Sequence, residues 1–271
     1  MTDNIESRII NEINKSGFPL ELRVTELLRS RGYSTDQSVY FVDNDEGKGR
    51  EFDIYSRKIS FQKKKKQNWF AENIFTIECK KSDKPWVIFT SPKDGDDDNI
   101  FDYDMMAEVN LEIPVWSAET IWQTVIEPIN EVSPLFNHPR HGRTYFVPFT
   151  NSEAGDAIYK ALTTSVKAAV AIKDKGRFGG HCLSFYYPTI VLQGRLFESY
   201  LENGDSQLSE VEILPVRFTY QSAQYDPIRY IVPIVTEKAL NRYLESLEKV
   251  LDIWVELVKE NVKMIKPDNG V

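Results

Sequence analysis

Two short segments carry the residue types of a metal-assisted hydrolase: Gly49-Arg-Glu-Phe-Asp53 and Ile74-Phe-Thr-Ile-Glu-Cys-Lys80. An acid–x–lysine tripeptide has no weight alone, and Glu46-Gly-Lys48 supplies another. Glu78 and Lys80 gain weight because they close an apolar β-type run, where alternation puts both side chains on one face. Asp53 lies in the strand pattern before it, and the two patterns are joined by Phe61-Gln-Lys-Lys-Lys-Lys-Gln-Asn-Trp-Phe70. A hairpin turning near Lys65 brings Asp53 level with Glu78. Adjacent carboxylates repel each other unless a cation lies between them. A hard divalent ion such as Mg²⁺ takes oxygen ligands and needs only one or two carboxylates besides water and phosphate. Asp53 and Glu78 are the expected ligands, with the main-chain carbonyl of Cys79 as a third, and Mn²⁺ is expected to substitute. Such an ion polarises a phosphodiester and acidifies a bound water. Lys80 is placed to orient that water or to neutralise charge growing on the phosphoryl oxygens. Glu51 precedes Asp53 by two positions on the same face and is the weaker candidate ligand.

Several elements must hold these groups. Ile5, Ile9, Ile10 and Ile13 predict a short amphipathic helix before Gly17. A second helix is predicted over Pro19 to Arg31, with Pro19 in its first turn and Gly32 at its end. Its apolar stripe is Leu20, Val24, Leu27 and Leu28. Glu21 lies on the edge of that stripe, where it reaches the metal through water or a second ion, and Glu26 points away. Strands are predicted over Ser38–Val42, Glu51–Ser60 and Ile74–Cys79. Residues 83–150 are acidic and proline-broken and read as an irregular insertion. A helix follows over Ser152–Ile172. Ser184–Leu192 and Arg195–Leu201 read as a hairpin turning at Gln193-Gly194, followed by strands over Ile213–Tyr220 and Arg229–Val235. A long helix over Glu237–Ile265 carries Leu240, Leu244, Leu247, Leu251, Trp254 and Val258 on one face, read as packing on its own sheet, with a dimer surface as the alternative. The fold class is therefore α/β or α+β with one mixed central sheet flanked by helices.

Glu21, Asp53 and Glu78-x-Lys80, in that order on helix, strand and strand, resemble the PD-(D/E)XK nuclease superfamily of restriction endonuclease-like fold. Gly17-Phe-Pro-Leu-Glu-Leu-Arg-Val-Thr-Glu-Leu-Leu-Arg-Ser-Arg-Gly-Tyr33 resembles the first-helix segment of restriction endonucleases acting on modified or foreign DNA. Phe52 stands where the namesake proline would be. The resemblance covers about the first 80 residues by motif and the rest by element order. It implies an αβββαβ core over about residues 17–201, an insertion over about 83–150 and a C-terminal extension over 210–265, all in one domain of residues 1–271. It also implies Mg²⁺-dependent cleavage of nucleic acid, usually DNA, in restriction or antiviral defence, with Glu21, Asp53, Glu78 and Lys80 as catalytic residues; an RNA-directed nuclease or toxin on the same fold is the weaker alternative. A homodimer suits an enzyme that must cut two strands. The competing reading is a catalytically silent nuclease fold that binds or regulates a partner subunit.

The 271 residues carry 33 Lys and Arg against 41 Asp and Glu, for a net charge of −8. A general basic coat for nucleic acid is absent, so contact must come from local patches, metal ions or a basic partner. No apolar run has the length of a membrane span, and Met-Thr-Asp-Asn-Ile-Glu lacks a signal-peptide pattern. Cys79 and Cys182 form no disulfide framework, so the expected location is the cytoplasm. Lys63–Lys66 sit roughly 30 Å along the strand from Asp53 and read as a solvated hairpin tip, with DNA contact as the alternative. Asp94–Asp98 lacks the central glycine and final glutamate of a calcium loop. His138, His141, His181 and Cys182 have zinc-ligand types without zinc-site spacing. Arg140 and Arg143 read as phosphate contacts or solvated charges. The sequence has neither a nucleophile elbow nor a phosphate-binding Gly-x-x-x-x-Gly-Lys loop.

Overall fold

The stripe read in the second helix is buried as expected. Helix α2 (Phe18–Ser30) sinks Leu20, Val24 and Leu28 to 1% exposure or less, each contributing about 1.5–3 kcal/mol by leaving water. Pro19 occupies its first turn. Gly32 closes it at φ +85°, a conformation that costs a side-chain-bearing residue but not glycine. Helix α1 (Ile5–Lys15) buries nothing: Ile5, Ile9, Ile10 and Ile13 are all exposed. These elements come from a computed structural model that describes residues 4–64, 67–93, 104–109, 111–112, 127–149, 155–175, 181–259 and 263–264. Asp94–Asp98, Lys65 and Lys66 lie outside the described residues, as do the side chains of Lys63, Lys64 and Val258.

Three strands follow as an antiparallel meander: β1 (Ser34–Asp43), β2 (Lys48–Lys64) and β3 (Gln67–Lys81). The β2–β3 pairing runs from Lys64 with Gln67 to Ile54 with Ile77. This is the register of a hairpin turning near Lys65, and the next step along both strands brings Asp53 level with Glu78. The remaining strands are β4 (Trp86–Pro92), β5 (Met106–Val109), β6 (Leu111–Glu112), β7 (Arg140–Phe146), β8 (Cys182–Gln193), β9 (Leu196–Glu202), β10 (Asp205–Val211), β11 (Ile213–Tyr220), β12 (Ile228–Thr236) and β13 (Lys263–Met264). The large mixed sheet has the order β1-β2-β3-β8-β12-β11-β7-β4-β9-β10, with β5 paired to β8. Helices α3 (Glu127–Val132), α4 (Gly155–Lys175) and α5 (Leu240–Lys259) complete the described helices.

The sheet is covered on both faces. Thr76 donates to the Ser165 carbonyl of α4 at 2.8 Å, and Asn73 donates to the Leu247 carbonyl of α5 at 3.2 Å. An odd separation along a strand points those two side chains to opposite faces. Arg31, which caps the end of α2, pairs with Glu248 of α5 at 2.7 Å, and Arg23 pairs with Glu237 at 2.5 Å, so α2 lies on the α5 side. Strand β8 is buried along its length up to Gln193, as a central strand covered on both faces must be. In sequence the α2-β1-β2-β3-α4-β8 run places four neighbouring strands, β3 and β8 being parallel from Phe70 with Cys182 to Lys81 with Gln193.

Three expectations are corrected here. Residues 83–150 are not simply an irregular insertion: β4 and β7 pair with each other inside the main sheet. The segment Ser184–Leu201 is not a hairpin. β9 leaves β8 at Gln193-Gly194 and runs parallel to β4 instead. Gly194 allows this crossing, since a Cβ there would lie 2.7 Å from the Ser82 carbonyl oxygen. The last helix is shorter than predicted: a 3₁₀ turn over Glu237–Ala239 precedes α5, which ends at Lys259. Its Leu240, Leu244, Leu247, Leu251 and Trp254 are buried against the body of the fold. Among the described residues no helix is long and apolar enough to cross a membrane.

Gly142 marks a close approach of three strands. A Cβ there would lie 2.7 Å from Ile88 Cγ2 and 3.0 Å from Val216 Cγ2, and both neighbours are β-branched and stiff. Gly142→Ala is expected to lose about 1–3 kcal/mol by overpacking. An unchanged urea midpoint would mean that β4, β7 and β11 separate without cost.

Candidate active site

The β2–β3 hairpin and α2 bring Glu21, Asp53, Glu78 and Lys80 into one electrostatic cluster. Asp53 Oδ2 accepts the Cys79 main-chain N–H at 2.6 Å, a contact made across the hairpin that fixes the carboxylate beside Glu78. Lys80 Nζ donates to Glu78 Oε2 at 2.5 Å and lies 3.7 Å from Asp53 Oδ2. One ammonium thus faces both acids. On the opposite flank of β2 the strand is irregular: Ser38 has φ +51°, and the β1 pairing is registered on either side of it, Gln37 with Ile54 and Val39 with Phe52.

The cluster is partly withdrawn from water. The Glu78 side chain is 7% exposed, that of Lys80 29% and that of Asp53 23%. Burial pushes the Glu78 carboxyl up to about 7; Lys80 opposes the shift, and Asp53 and Glu21 reinforce it. Burial also raises Glu21, with the Asp53 charge adding to it and Lys80 reducing it. Burial disfavours the Lys80 charge, yet Glu78 and Asp53 together hold its pKa above the ordinary value. Three acids against one base leave an excess of negative charge that favours a further cation. The Cys79 thiol is driven upward by burial and the surrounding acids, so it is a neutral thiol and not a thiolate ligand.

This donor set fits a hard cation. Among the described residues no three His, Cys, Asp or Glu side chains are grouped to hold a metal, so Glu21 is not brought in as a third side-chain ligand beside Asp53 and Glu78. Asp53 and Glu78 supply hard oxygen donors, and Mg²⁺ needs only one or two carboxylates because it keeps much of its water. Glu51 does not join the pair: its carboxylate accepts the Tyr40 hydroxyl at 2.8 Å, and hydrogen bonds from Ser38 and Tyr40 hold its pKa low.

The zinc-type residues are not brought together. His138 and His141 belong to the region of β7, whereas His181 and Cys182 start β8, and β12 and β11 lie between those strands. His138 Nδ1 lies 2.7 Å from the Arg140 carbonyl oxygen. Arg140 is spent internally, donating to both oxygens of Glu198 at 2.7 and 3.0 Å and lying over the Tyr200 ring. Arg143 donates to Ser91 Oγ at 3.0 Å.

Two buried charge clusters had no signal in the sequence. Glu72 is fully buried, pairs with Arg57 and accepts the Ser184 hydroxyl at 2.5 Å. Lys167 of α4 reaches both oxygens of Asp43 at 3.0 and 2.9 Å and Asp45 at 2.6 Å, with the Tyr220 ring 4.8 Å from its ammonium. Their partners are far apart in the chain, so no local pattern marks them.

The raised Glu78 pKa makes a stability prediction for metal-free protein. Its folded pKa lies above the ordinary 4.5, so the folded state holds the proton more tightly. No penalty exists below pH 4.5; it grows from there and is complete above about pH 7. Glu78→Gln, measured in EDTA, is expected to raise the melting temperature at pH 8 and to change it little at pH 4. A full gain of about 3 kcal/mol corresponds to the shift. An equal effect at both pH values would refute the buried-charge account.

Comparison with protein-family models, with curated proteins and with solved structures gives no match for this chain.

Proposed function

We propose that the chain is a metal-dependent nuclease hydrolysing phosphodiester bonds, with DNA as the favoured substrate. The carrying observation is the placement of the Lys80 ammonium against both Asp53 and Glu78, at a hairpin register that brings the two acids level, beside Glu21 on α2. The α2-β1-β2-β3-α4-β8 order, with β3 and β8 parallel, supports the restriction endonuclease-like core that the motif resemblance implies.

Asp53 and Glu78, with the Cys79 carbonyl, are the residues that would hold Mg²⁺, and Glu21 faces the same charge. When bound, Mg²⁺ supplies Lewis acidity toward the phosphoryl oxygen and a water of lowered pKa. The chain's own groups do the rest. The Cys79 N–H holds Asp53 in orientation. Lys80 presents an ammonium where charge develops on the phosphoryl oxygens or where the attacking water must be aimed. The partly buried setting of Glu78 strengthens both effects by lowering the local dielectric. A second reading, a silent fold that binds a partner, is favoured by one observation: the net charge of −8 gives no general grip on a polyanion.

The test is cleavage of plasmid DNA, single-stranded DNA and RNA by the wild-type chain with Mg²⁺, Mn²⁺ or EDTA. Cutting that needs the metal is the expected result, and the products identify the substrate. A well-folded chain that cuts nothing with either metal would discard the catalytic reading of this chain acting alone.

A further inference from the structure

Helix α1 is strongly amphipathic and buries no side chain. Ile5, Ile9, Ile10 and Ile13 form its apolar stripe. It lies against α2, where Phe18 and Leu22 stand one turn apart, turned away from the buried Leu20 and Val24. All six are between 43% and 65% exposed. Single exposed apolar side chains are ordinary, but a grouped set marks a surface that another molecule covers. Helix formation makes the same demand. Isolated helices shorter than about 12–15 residues are marginal in water and take most of their stability from packing an apolar face, and α1 has 11 residues. Its last turn is held to the fold by Lys81, whose ammonium donates to the Asn14 carbonyl at 2.6 Å.

The charges of α1 say what covers the stripe. Two bases, Arg8 and Lys15, balance two acids, Glu6 and Glu12. A helix that lies on an anionic membrane carries an excess of Lys and Arg, and α1 has none. At about 100° per residue, Arg8, Glu12 and Lys15 share one flank of the stripe. Two copies packed antiparallel about a two-fold axis set this flank against itself, since such an interface is self-complementary. With the axis near Ile9 and Ile10, Arg8 of each copy comes level with Glu12 of the other, Ile5 with Ile13, and Glu6 with Asn14 and Lys15, to within a residue or so of about 1.5 Å rise. One register therefore serves both the stripe and the charges. Lys15 already bonds Glu12 at 2.9 Å within the helix, an exposed pair, so Arg8 of the second copy extends it into a row of alternating sign. A parallel pair would set the charged flank against the Ser7 and Asn14 flank and leave it unmatched.

We infer that α1, with Phe18 and Leu22 of α2 at its edge, is the surface on which two copies of this chain associate, as an antiparallel helix pair. The apolar stripe of α5 is closed to a second copy because it is buried in the fold. The association does not depend on the nuclease reading. It does bear on the candidate site, because α2 also carries Glu21 and Lys81 adjoins Lys80, so pairing through α1 fixes the two sites of a dimer relative to each other.

Sedimentation equilibrium of the full chain across the micromolar range tests it, without reference to cleavage. The expected result is a reversible rise to the mass of two chains. Ile9→Asp should raise the dissociation constant at least about 100-fold, the scale of a central interface residue. Ile9 is exposed in the single chain, so the melting temperature of dilute, monomeric protein should not change. Arg8→Glu alone sets like charges together twice, once on each side of the axis, and should weaken association about tenfold. Arg8→Glu combined with Glu12→Arg exchanges the two signs and should recover most of that loss. A wild-type chain that stays monomeric overturns the inference, and binding of that monomer to phosphatidylserine vesicles would give the stripe to a membrane instead. A dimer that Ile9→Asp leaves intact overturns the choice of surface. A charge exchange that restores nothing overturns the antiparallel pairing. None of these outcomes alters the nuclease reading, which stands or falls on metal-dependent cutting.

Discussion

Lys80→Ala is expected to lower kcat of metal-dependent cleavage by about 100- to 1,000-fold, the loss that follows removal of one preorganised charge at a developing anion. Asp53→Asn should cost at least as much, because it keeps the shape that accepts the Cys79 N–H and removes the charge that pairs with the cation. The two variants differ in their pH response. Lys80 is the positive group that lowers the Glu78 pKa, so Lys80→Ala moves Glu78 further upward. Asp53 raises it, so Asp53→Asn moves it down. Titration of metal-free protein, read by NMR of the labelled Glu78 carboxyl, should show these opposite shifts. Equal activity of wild type and Lys80→Ala would remove Lys80 from the chemistry and reduce the cluster to a strand-end ion pair, which contributes little.

Lys167→Met is expected to give the largest loss of stability. Lys167 and Asp43 are 7% and 5% exposed and hydrogen-bond through both carboxylate oxygens. Removing the ammonium leaves the buried Asp43 charge without its counter-ion, a change that costs about 3 kcal/mol, the lower end for broken buried pairs because Asp43 still accepts the Asp45 main-chain N–H at 3.0 Å. The structural consequence reaches far, since the cluster ties the end of β1 to α4 and to the end of β11, where Tyr220 donates to Asp45 at 2.5 Å. Urea denaturation reads the loss. Adding Asp43→Asn should recover much of it, because the partner charge is then gone as well. A double variant as unstable as the single one would assign the loss to packing and not to charge.

Several local elements were legible from a buried face, though β4 and β7 were not, because prolines and acidic residues broke up residues 83–150. The Leu20, Val24, Leu28 stripe, the Gly32 cap and the alternation on either side of Lys65 each express local geometry, and the structure follows them in α2, β2 and β3. Strand β10 was not legible, because it forms an edge of the sheet and its residues are exposed or half-buried throughout, leaving no apolar alternation to read. The course of β9 was misread for a different reason. Gln193-Gly194 has the composition of a hairpin turn, but the missing Cβ serves a close crossing over Ser82 instead.

The sequence by itself determined the chemistry on offer at one place: two acids and a lysine on neighbouring strands, with their relative height set by a symmetric hairpin. That follows from the two-residue period of a strand and needs no distant contact. Only the tertiary structure decided how buried Glu78 is, that Asp53 is held by the Cys79 amide, and that Glu21 shares their field. Only it placed β8 beside β3, because parallel pairing joins Lys80 to Leu192, 112 residues further along the chain, and which strand lies beside which is fixed by burial and connection rules spread over the whole chain.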